Sequence, residues 1–215
     1  MLSLASAPAA TGVKPWQSIG VNVPRHSARS PDWERSESFR LPDRREMVLR
    51  PVQPEDAEPI AAAYELLDED EVRRRFLHRL KSLDSAHLQQ VTRPDPANEF
   101  VVVAAEPLPP GEALVAALAR LSRDEPGSTR AEFGILVSHF VVGLGLGRML
   151  MERLIEWCRG HGVQELWGDV LEENRPMLEL ASELGFRREA RPDAPNLLRV
   201  RLDLRRGPTN RRRKR

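Results

Sequence analysis

Hydrophobic and polar residues change their spacing along the chain, and each change predicts an element. Residues 1–44 are rich in Ser, Pro, Ala and Arg and show no sustained period, which indicates a disordered N-terminal arm. Alternation over 45–52 predicts a strand. An apolar face with helical spacing predicts a helix over 54–67, and two further helical segments are predicted over 68–80 and 83–92.

The rest of the chain mixes strands with two amphipathic helices. On the first of these helices, Leu150, Leu154 and Cys158 form one apolar row. A strand–helix–strand unit within hairpin-connected strands implies a mixed α/β sheet. The predicted segments are strands over 98–106, 112–122 and 130–138, a helix over 148–162, a strand over 163–171, a helix over 174–186 and a strand over 196–204.

The amino-acid composition limits the classes of function that the protein can have. The length of 215 residues suits one domain, predicted over 45–205, followed by a basic tail over 206–215. Because 33 basic side chains nearly cancel 32 acidic ones, bulk charge does not indicate a nucleic-acid or membrane partner. The tail could contact nucleic acid electrostatically, but no interleaved aromatic residue supports this.

Cysteine content and hydropathy bear on the compartment and on metal sites. The single cysteine, Cys158, excludes an intrachain disulfide and a paired-cysteine zinc site, so no metal is expected. The chain has neither an apolar run long enough for a membrane span nor the pattern of a secretory signal. These features predict a cytoplasmic protein.

Three glycines at alternate positions, Gly143, Gly145 and Gly147, directly precede a predicted helix. A glycine loop before a helix can direct backbone N–H groups at a phosphate. A Walker loop needs Gly-Lys-Ser/Thr where this chain reads Gly-Arg-Met, and a dinucleotide fingerprint would need glycine at Arg148. A turn that only lets the helix pack closely stays open as an alternative.

The flanking segments give this loop a context. The motifs "EFGILV", "VGLGLG", "RMLMERLIEWCRGHG", "ELWGDVL" and "NRPMLELASELGF" occur in this order. The region resembles the GCN5-related N-acetyltransferase (GNAT) family. Together with "RPVQPEDAEPI" and "RRRFLHRLKSL", it looks like the acetyltransferase domain of Pat-type protein lysine acetyltransferases. This resemblance implies a GNAT fold of class α/β (α+β), with a mixed, mostly antiparallel sheet flanked by helices.

The resemblance also implies an activity and its residues. Acetyl-CoA is the expected co-substrate, and an amine, that of a protein lysine, is the expected acceptor. In Pat-type proteins this domain is often fused to a regulatory domain, and we expect no such domain within these 215 residues. Glu132 occupies the position of the general base. The implied acetyl-CoA contacts are backbone groups of Ile135, Leu136 and Val137, the pyrophosphate cradle of Gly143, Leu144, Gly145, Leu146, Gly147 and Arg148, and the side chain of Asn174, which also suits a helix cap.

Two departures from the family pattern keep other functions open. Val142 replaces the usual Gln or Arg before the cradle, so Arg148 is expected to supply compensating charge. Ala181 replaces a tyrosine that protonates the leaving thiolate in many relatives. The alternatives are a small-molecule amine N-acetyltransferase, a non-catalytic acyl-CoA-binding module, and a basic protein that associates with nucleic acid.

Overall fold

The computed structural model describes residues 34–67 and 84–205. The helix predicted over 68–80 and the basic tail lie outside these ranges. The described strands are β1 (Glu37–Arg40), β2 (Glu46–Pro51), β3 (Glu99–Ala105), β4 (Val115–Arg123), β5 (Arg130–Val137), β6 (Glu165–Leu171), β7 (Arg187–Ala190) and β8 (Leu197–Asp203). The described helices are α1 (Ala57–Glu65), α2 (Ser85–Thr92), α3 (Leu146–Gly160) and α4 (Arg175–Glu183).

The eight strands form one mixed sheet in the order β1-β2-β3-β4-β5-β6-β8-β7. Neighbouring strands pair antiparallel except β5 and β6, which are parallel and are connected through α3. The predicted mixed, mostly antiparallel sheet is therefore confirmed. Within the described ranges, no helix is both long and apolar enough to span a membrane.

The two strands that the sequence pattern did not predict, β1 and β7, lie at the sheet edges. Both have four residues that are mostly exposed, so neither shows hydrophobic alternation. Strand β1 lies within residues 1–44, so part of the predicted disordered arm is instead an edge strand. The buried Arg153 of α3 anchors it, because this guanidinium donates to the Arg35 carbonyl and to the Glu37 carboxylate, each at 2.8 Å.

Hydrophobic residues pack on both faces of the sheet. On one face, α3 and α4 contribute to the larger core, in which Leu150, Leu154 and Cys158 are fully buried as predicted. On the opposite face, α1 and α2 cover a smaller core that includes Ile60 and Val103. The two cores fix β4 and β5 in the centre of the sheet.

A buried ion pair joins the end of β2 to the turn before α1. Arg50 donates to both carboxylate oxygens of Asp56, at 2.7 and 2.8 Å, and the backbone N–H of Gln53 donates to the same carboxylate at 2.8 Å. Asp56 is completely buried. This pair fixes the direction in which the chain enters α1.

Candidate active site

The parallel strands β5 and β6 separate partway along their length. Their register pairs Arg130–Glu132 of β5 with Glu165–Trp167 of β6 and then stops. Strand β5 remains paired with β4 as far as Val137, and β6 remains paired with β8 as far as Leu171. The strands therefore diverge after Glu132, and the backbone edge of residues 134–137 faces a gap.

The gap opens into a groove of about 860 Å³. One wall is β5, the other is the end of β6 with the start of α4, and the glycine loop before α3 closes one end. The groove is lined by all but one of the predicted site residues, namely Glu132, Ile135, Leu136, Val137, Gly143, Gly145, Leu146, Gly147, Arg148 and Asn174. Leu144 is the exception, because it is partly buried against the larger core.

The glycine loop adopts a backbone that side chains disfavour. Gly143 and Gly145 have φ of 80° and 90°, and Gly145 is the N-cap of α3. A Cβ added to either would meet no heavy atom within 4 Å, so conformation and open space toward the groove, rather than packing, account for these two glycines. Gly147 differs, since its Cβ would lie 3.2 Å from Leu180 Cδ2 of α4.

This loop is suited to an anion. The first N–H groups of a helix have no intrahelical partner and carry the positive end of the helix dipole. The 15-residue helix α3 begins at the loop, and Leu146 and Gly147 of its first turn line the groove. The loop can therefore offer backbone donors without a basic side chain.

Arg148 is engaged by acidic side chains. Its guanidinium forms an ion pair with Glu183 of α4 and lies 3.6 Å from a carboxylate oxygen of Glu152. Val142, which lines the groove, is 56% exposed and apolar. The charge expected from Arg148 is thus opposed by two carboxylates, which leaves the backbone N–H groups as the main candidate donors to an anion at this loop.

Asn174 caps α4 at the groove wall. Its side-chain oxygen accepts a hydrogen bond from the Met177 backbone N–H at 3.2 Å. The capping role proposed from the sequence is therefore confirmed. Because an amide side chain also carries two N–H donors, the cap leaves Asn174 able to donate to a ligand in the groove.

Glu132 lies where β5 and β6 begin to separate. It is exposed, lines the groove and pairs in register with Trp167, so both side chains lie on the same face of the sheet. Arg199 of β8 stacks over the Trp167 ring at 4.1 Å and interacts electrostatically with Glu132. Glu132 thus lies in a charged rather than an apolar setting.

Asp169 forms the centre of a charge cluster that sequence reasoning missed. This largely buried carboxylate of β6 accepts two hydrogen bonds from Arg199, at 2.8 and 2.7 Å, and one from Arg191 at 2.5 Å. Hydrogen bonding and charge at Asp169 raise the pKa of Arg199. The cluster fixes the β6 wall of the groove to β8 and to the loop before it. The signal that could have indicated it is the acidic charge of β6, with Asp169, opposite the basic charge of β8, with Arg199.

Two further candidate positions, Ala181 and Cys158, do not line the groove, whereas His139 does. Ala181, at the position of the family's tyrosine, is fully buried. Cys158 is also buried, and burial raises the pKa of its thiol to about 12, as suits a core residue. Within residues 34–67 and 84–205, no group of three or more His, Cys, Asp and Glu side chains could hold a metal ion.

Comparisons with known proteins agree with this geometry. The model of the Acetyltransferase (GNAT) family matches residues 60–186, more than half of the chain. Acetyltransferase PA5475 from Pseudomonas aeruginosa is 29% identical over 156 residues, which cover 71% of this chain and 81% of that protein.

Solved structures share the fold. The GNAT domain of S. lividans PAT matches with a TM-score of 0.68 and 23% identity, over 80% of this chain and 97% of that domain. The yncA protein from Salmonella typhimurium, solved with its cofactor acetyl-CoA, matches with a TM-score of 0.59 and 23% identity, over 74% of this chain and 94% of that one.

A cAMP-binding acyltransferase from Mycobacterium smegmatis matches 80% of this chain with a TM-score of 0.54 and 27% identity. This chain spans 48% of that protein, about half its length. The match of the family model, the mixed sheet and the separation of β5 from β6 lead to one conclusion: the chain belongs to the Acetyltransferase (GNAT) family.

Proposed function

We propose that this protein is an acetyl-CoA-dependent N-acetyltransferase that acts on an amine, and that the amine is a protein lysine. The observation that carries the proposal is the groove between β5 and β6, with a glycine loop at one end and Glu132 at the point where the strands separate. An elongated ligand with an anionic group and a reactive end fits such a groove.

The groove offers separate groups for the parts of acetyl-CoA. Backbone N–H groups of Gly143, Gly145, Leu146 and Gly147 suit the pyrophosphate, whereas those of Leu144 and Arg148 already donate to the carbonyls of Val141 and Gly145. The free backbone edge of residues 135–137 suits an extended arm that pairs like a strand. Asn174 can donate to this arm from the opposite wall. The acetyl-CoA in yncA supports this choice of co-substrate, since the two chains share the fold.

Glu132 is proposed as the general base. A protonated amine has no free electron pair, so one proton must leave before the nitrogen attacks the thioester carbonyl carbon. The Glu132 carboxylate accepts this proton, directly or through water. The new bond joins nitrogen to the acetyl carbon, the carbon–sulfur bond breaks, and CoA leaves as a thiolate, while the nitrogen gives up its second proton to water. The groove lining contains no tyrosine, serine or cysteine, and its histidine, His139, lies in the turn that leads into the glycine loop, so water is the proposed proton donor to the thiolate.

The proposal of a protein lysine rests on access and on the sequence resemblance. Glu132 is exposed at the groove, so an amine on a large acceptor can approach it without entering a closed cavity. The motifs shared with Pat-type enzymes favour lysine over a small-molecule amine.

A non-catalytic acyl-CoA-binding module is the second candidate. Two observations favour it: Val142 provides no polar group to the loop, and buried Ala181 provides no acid to the groove. The exposed carboxylate of Glu132 favours the enzyme, because a binding module has no need of a base at this position.

Thiol release from acetyl-CoA tests the proposal. We expect turnover with lysine-containing proteins or peptides, and a loss of at least about 100-fold in kcat for Glu132→Gln, since general bases contribute about 10²–10⁴-fold. Glu125→Gln is the matched control, because Glu125 is exposed in the turn before β5 and does not line the groove.

The outcomes separate the candidates. Acetyl-CoA binding without turnover on any acceptor would favour the binding module, and turnover confined to small amines would replace lysine as the acceptor. Undiminished turnover by Glu132→Gln would remove only the assignment of the base. If no acetyl-CoA binds, the whole proposal fails.

A further inference from the structure

The turn that leads into the glycine loop is contacted by a residue that is distant from it in the sequence. Arg45, in the turn between β1 and β2, donates from Nη2 to the backbone carbonyl of Phe140 at 2.9 Å. Phe140 lies in the single 3₁₀ turn that leads into the glycine loop. Donor and acceptor are 95 positions apart in the sequence, so only the folded sheet brings them together.

This contact adds to the backbone hydrogen bond by which the Ser138 N–H, at the start of the same turn, donates to the Ala116 carbonyl of β4 at 3.1 Å. The Phe140 side chain is 61% exposed and cannot hold the turn by packing, although the neighbouring Val141 is buried in the core. The spaces beside Gly143 and Gly145 are open. The turn is therefore held by the packing of Val141, by the bond from Ser138 to β4, and by Arg45 at the Phe140 carbonyl.

Arg45 is itself held in one orientation. Its Nε donates to Asp43 at 2.8 Å, and its backbone N–H donates to the same carboxylate at 3.1 Å. Hydrogen bonds from Arg45 keep the pKa of Asp43 below its usual range, so the carboxylate is ionised at neutral pH. The turn between β1 and β2, which carries Arg45, is also fixed by Leu41, which is buried and exchanges backbone hydrogen bonds with Arg44 and Arg45.

We propose that Arg45 is a positioning residue for the phosphate-binding loop. By holding the Phe140 carbonyl, it fixes the approach to Gly143–Gly147 and so keeps the backbone donors directed at the phosphates of the ligand. The inference rests on the proposed function, since it assumes that acetyl-CoA is the ligand. Arg45 does not line the groove, so it acts through the loop rather than by touching the ligand.

The experiment compares Arg45→Gln with wild type by calorimetric titration with CoA and with pantetheine, which lacks the phosphates. We expect a roughly 5-fold weaker CoA affinity for Arg45→Gln, as for the loss of one hydrogen bond from a charged donor at an exposed site. Pantetheine affinity is expected to stay unchanged. Because general destabilisation would weaken both ligands, the ratio of the two affinities isolates the phosphate-binding loop.

Arg40→Gln is the matched control, because it removes the same charge from the same hairpin. Arg40 pairs only with the exposed Glu46 among the described contacts, and we expect unchanged CoA affinity. Repeating the titrations at 0.15 M and about 0.5 M salt separates a bond to a neutral carbonyl from direct pairing with phosphate, which salt screens strongly.

The possible results of these titrations distinguish the positioning role of Arg45 from the proposed function. A penalty specific to CoA that persists at high salt supports the positioning role. A penalty that disappears at high salt, equal penalties for both ligands, or an affinity equal to wild type would overturn it while leaving the proposed function intact. If wild type binds no CoA, the proposed function and this inference fail together.

Discussion

Replacing Asp56 by asparagine leaves a buried guanidinium without a counter-charge. Asp56 is 0% exposed and Arg50 is 7% exposed, and the two form a bidentate pair with contacts of 2.7 and 2.8 Å. Removing one partner of a buried pair costs about 3–5 kcal/mol. Since domains are stable by only about 5–15 kcal/mol, Asp56→Asn should lose a large share of the free energy of unfolding.

Urea unfolding followed by circular dichroism measures this loss. With a slope of roughly 2 kcal/mol per M, the midpoint should fall by about 2 M. Asp203→Asn is the control, because its arginine partner, Arg205, is exposed and such pairs contribute only about 0–1 kcal/mol. A loss for Asp56→Asn no larger than that of the control would refute the reasoning.

The same pair predicts an acid dependence. Burial would raise the pKa of Asp56, but hydrogen bonds from Arg50 and from the Gln53 backbone hold it below its ordinary value. The stabilisation is therefore complete above the unfolded-state carboxyl pKa of about 3.9 and is lost as the pH falls through the lower folded-state pKa. The difference between wild type and Asp56→Asn should shrink below about pH 4. A constant difference down to pH 2 would contradict this.

Two further predictions concern acetyl-CoA affinity, both read by titration. Val142→Arg should bind acetyl-CoA about 3–10-fold more tightly, because the substitution adds an exposed cation beside the loop. This gain in affinity should fall as the salt concentration rises. If affinity does not increase, the loop does not contact the phosphates. Gly145→Ala should weaken binding about 10-fold or more, since φ of 90° disfavours a side chain and its Cβ would project into open space toward the groove. Gly162→Ala is the control, because Gly162 also has a left-handed φ, of 70°, and open surroundings but does not line the groove. This variant should lose stability without losing affinity for acetyl-CoA. An equal loss of affinity in both variants would contradict a specific role of Gly145 in binding.

The spacing of apolar residues was sufficient to predict a helix or strand where one side of the element is buried and the other is exposed. The row of Leu150, Leu154 and Cys158 predicted α3 because a helix packed on a sheet repeats its apolar residues every three to four positions. The pattern did not predict β1, since an exposed edge strand has no alternation to detect. Strand β1 is held by pairing with β2 and by Arg153, a contact made 116 positions away from Glu37.

The residues of the candidate site were predictable from the sequence where they lie close together along the chain. The glycine loop, Glu132 and Asn174 occupy one continuous stretch with a family pattern. Contacts between distant segments were not predictable, because charge alone does not identify a partner. Arg148 lines the groove, but nothing in the sequence indicated that it pairs with Glu183, which lies 35 positions further along the chain.

The surroundings of Val142 and Arg148 favour backbone groups, rather than side-chain charge, as the donors to an anion at the glycine loop. Val142 adds no charge, and the charge of Arg148 is opposed by Glu183 and Glu152. In the proposed function, recognition of the phosphates depends on the directions of backbone N–H groups, which the left-handed conformations of Gly143 and Gly145 set. Directions are fixed by whatever holds the ends of the loop, here the buried Val141 and the start of α3. In such a loop, a residue outside the groove that immobilises the backbone can affect affinity as strongly as a cation within it.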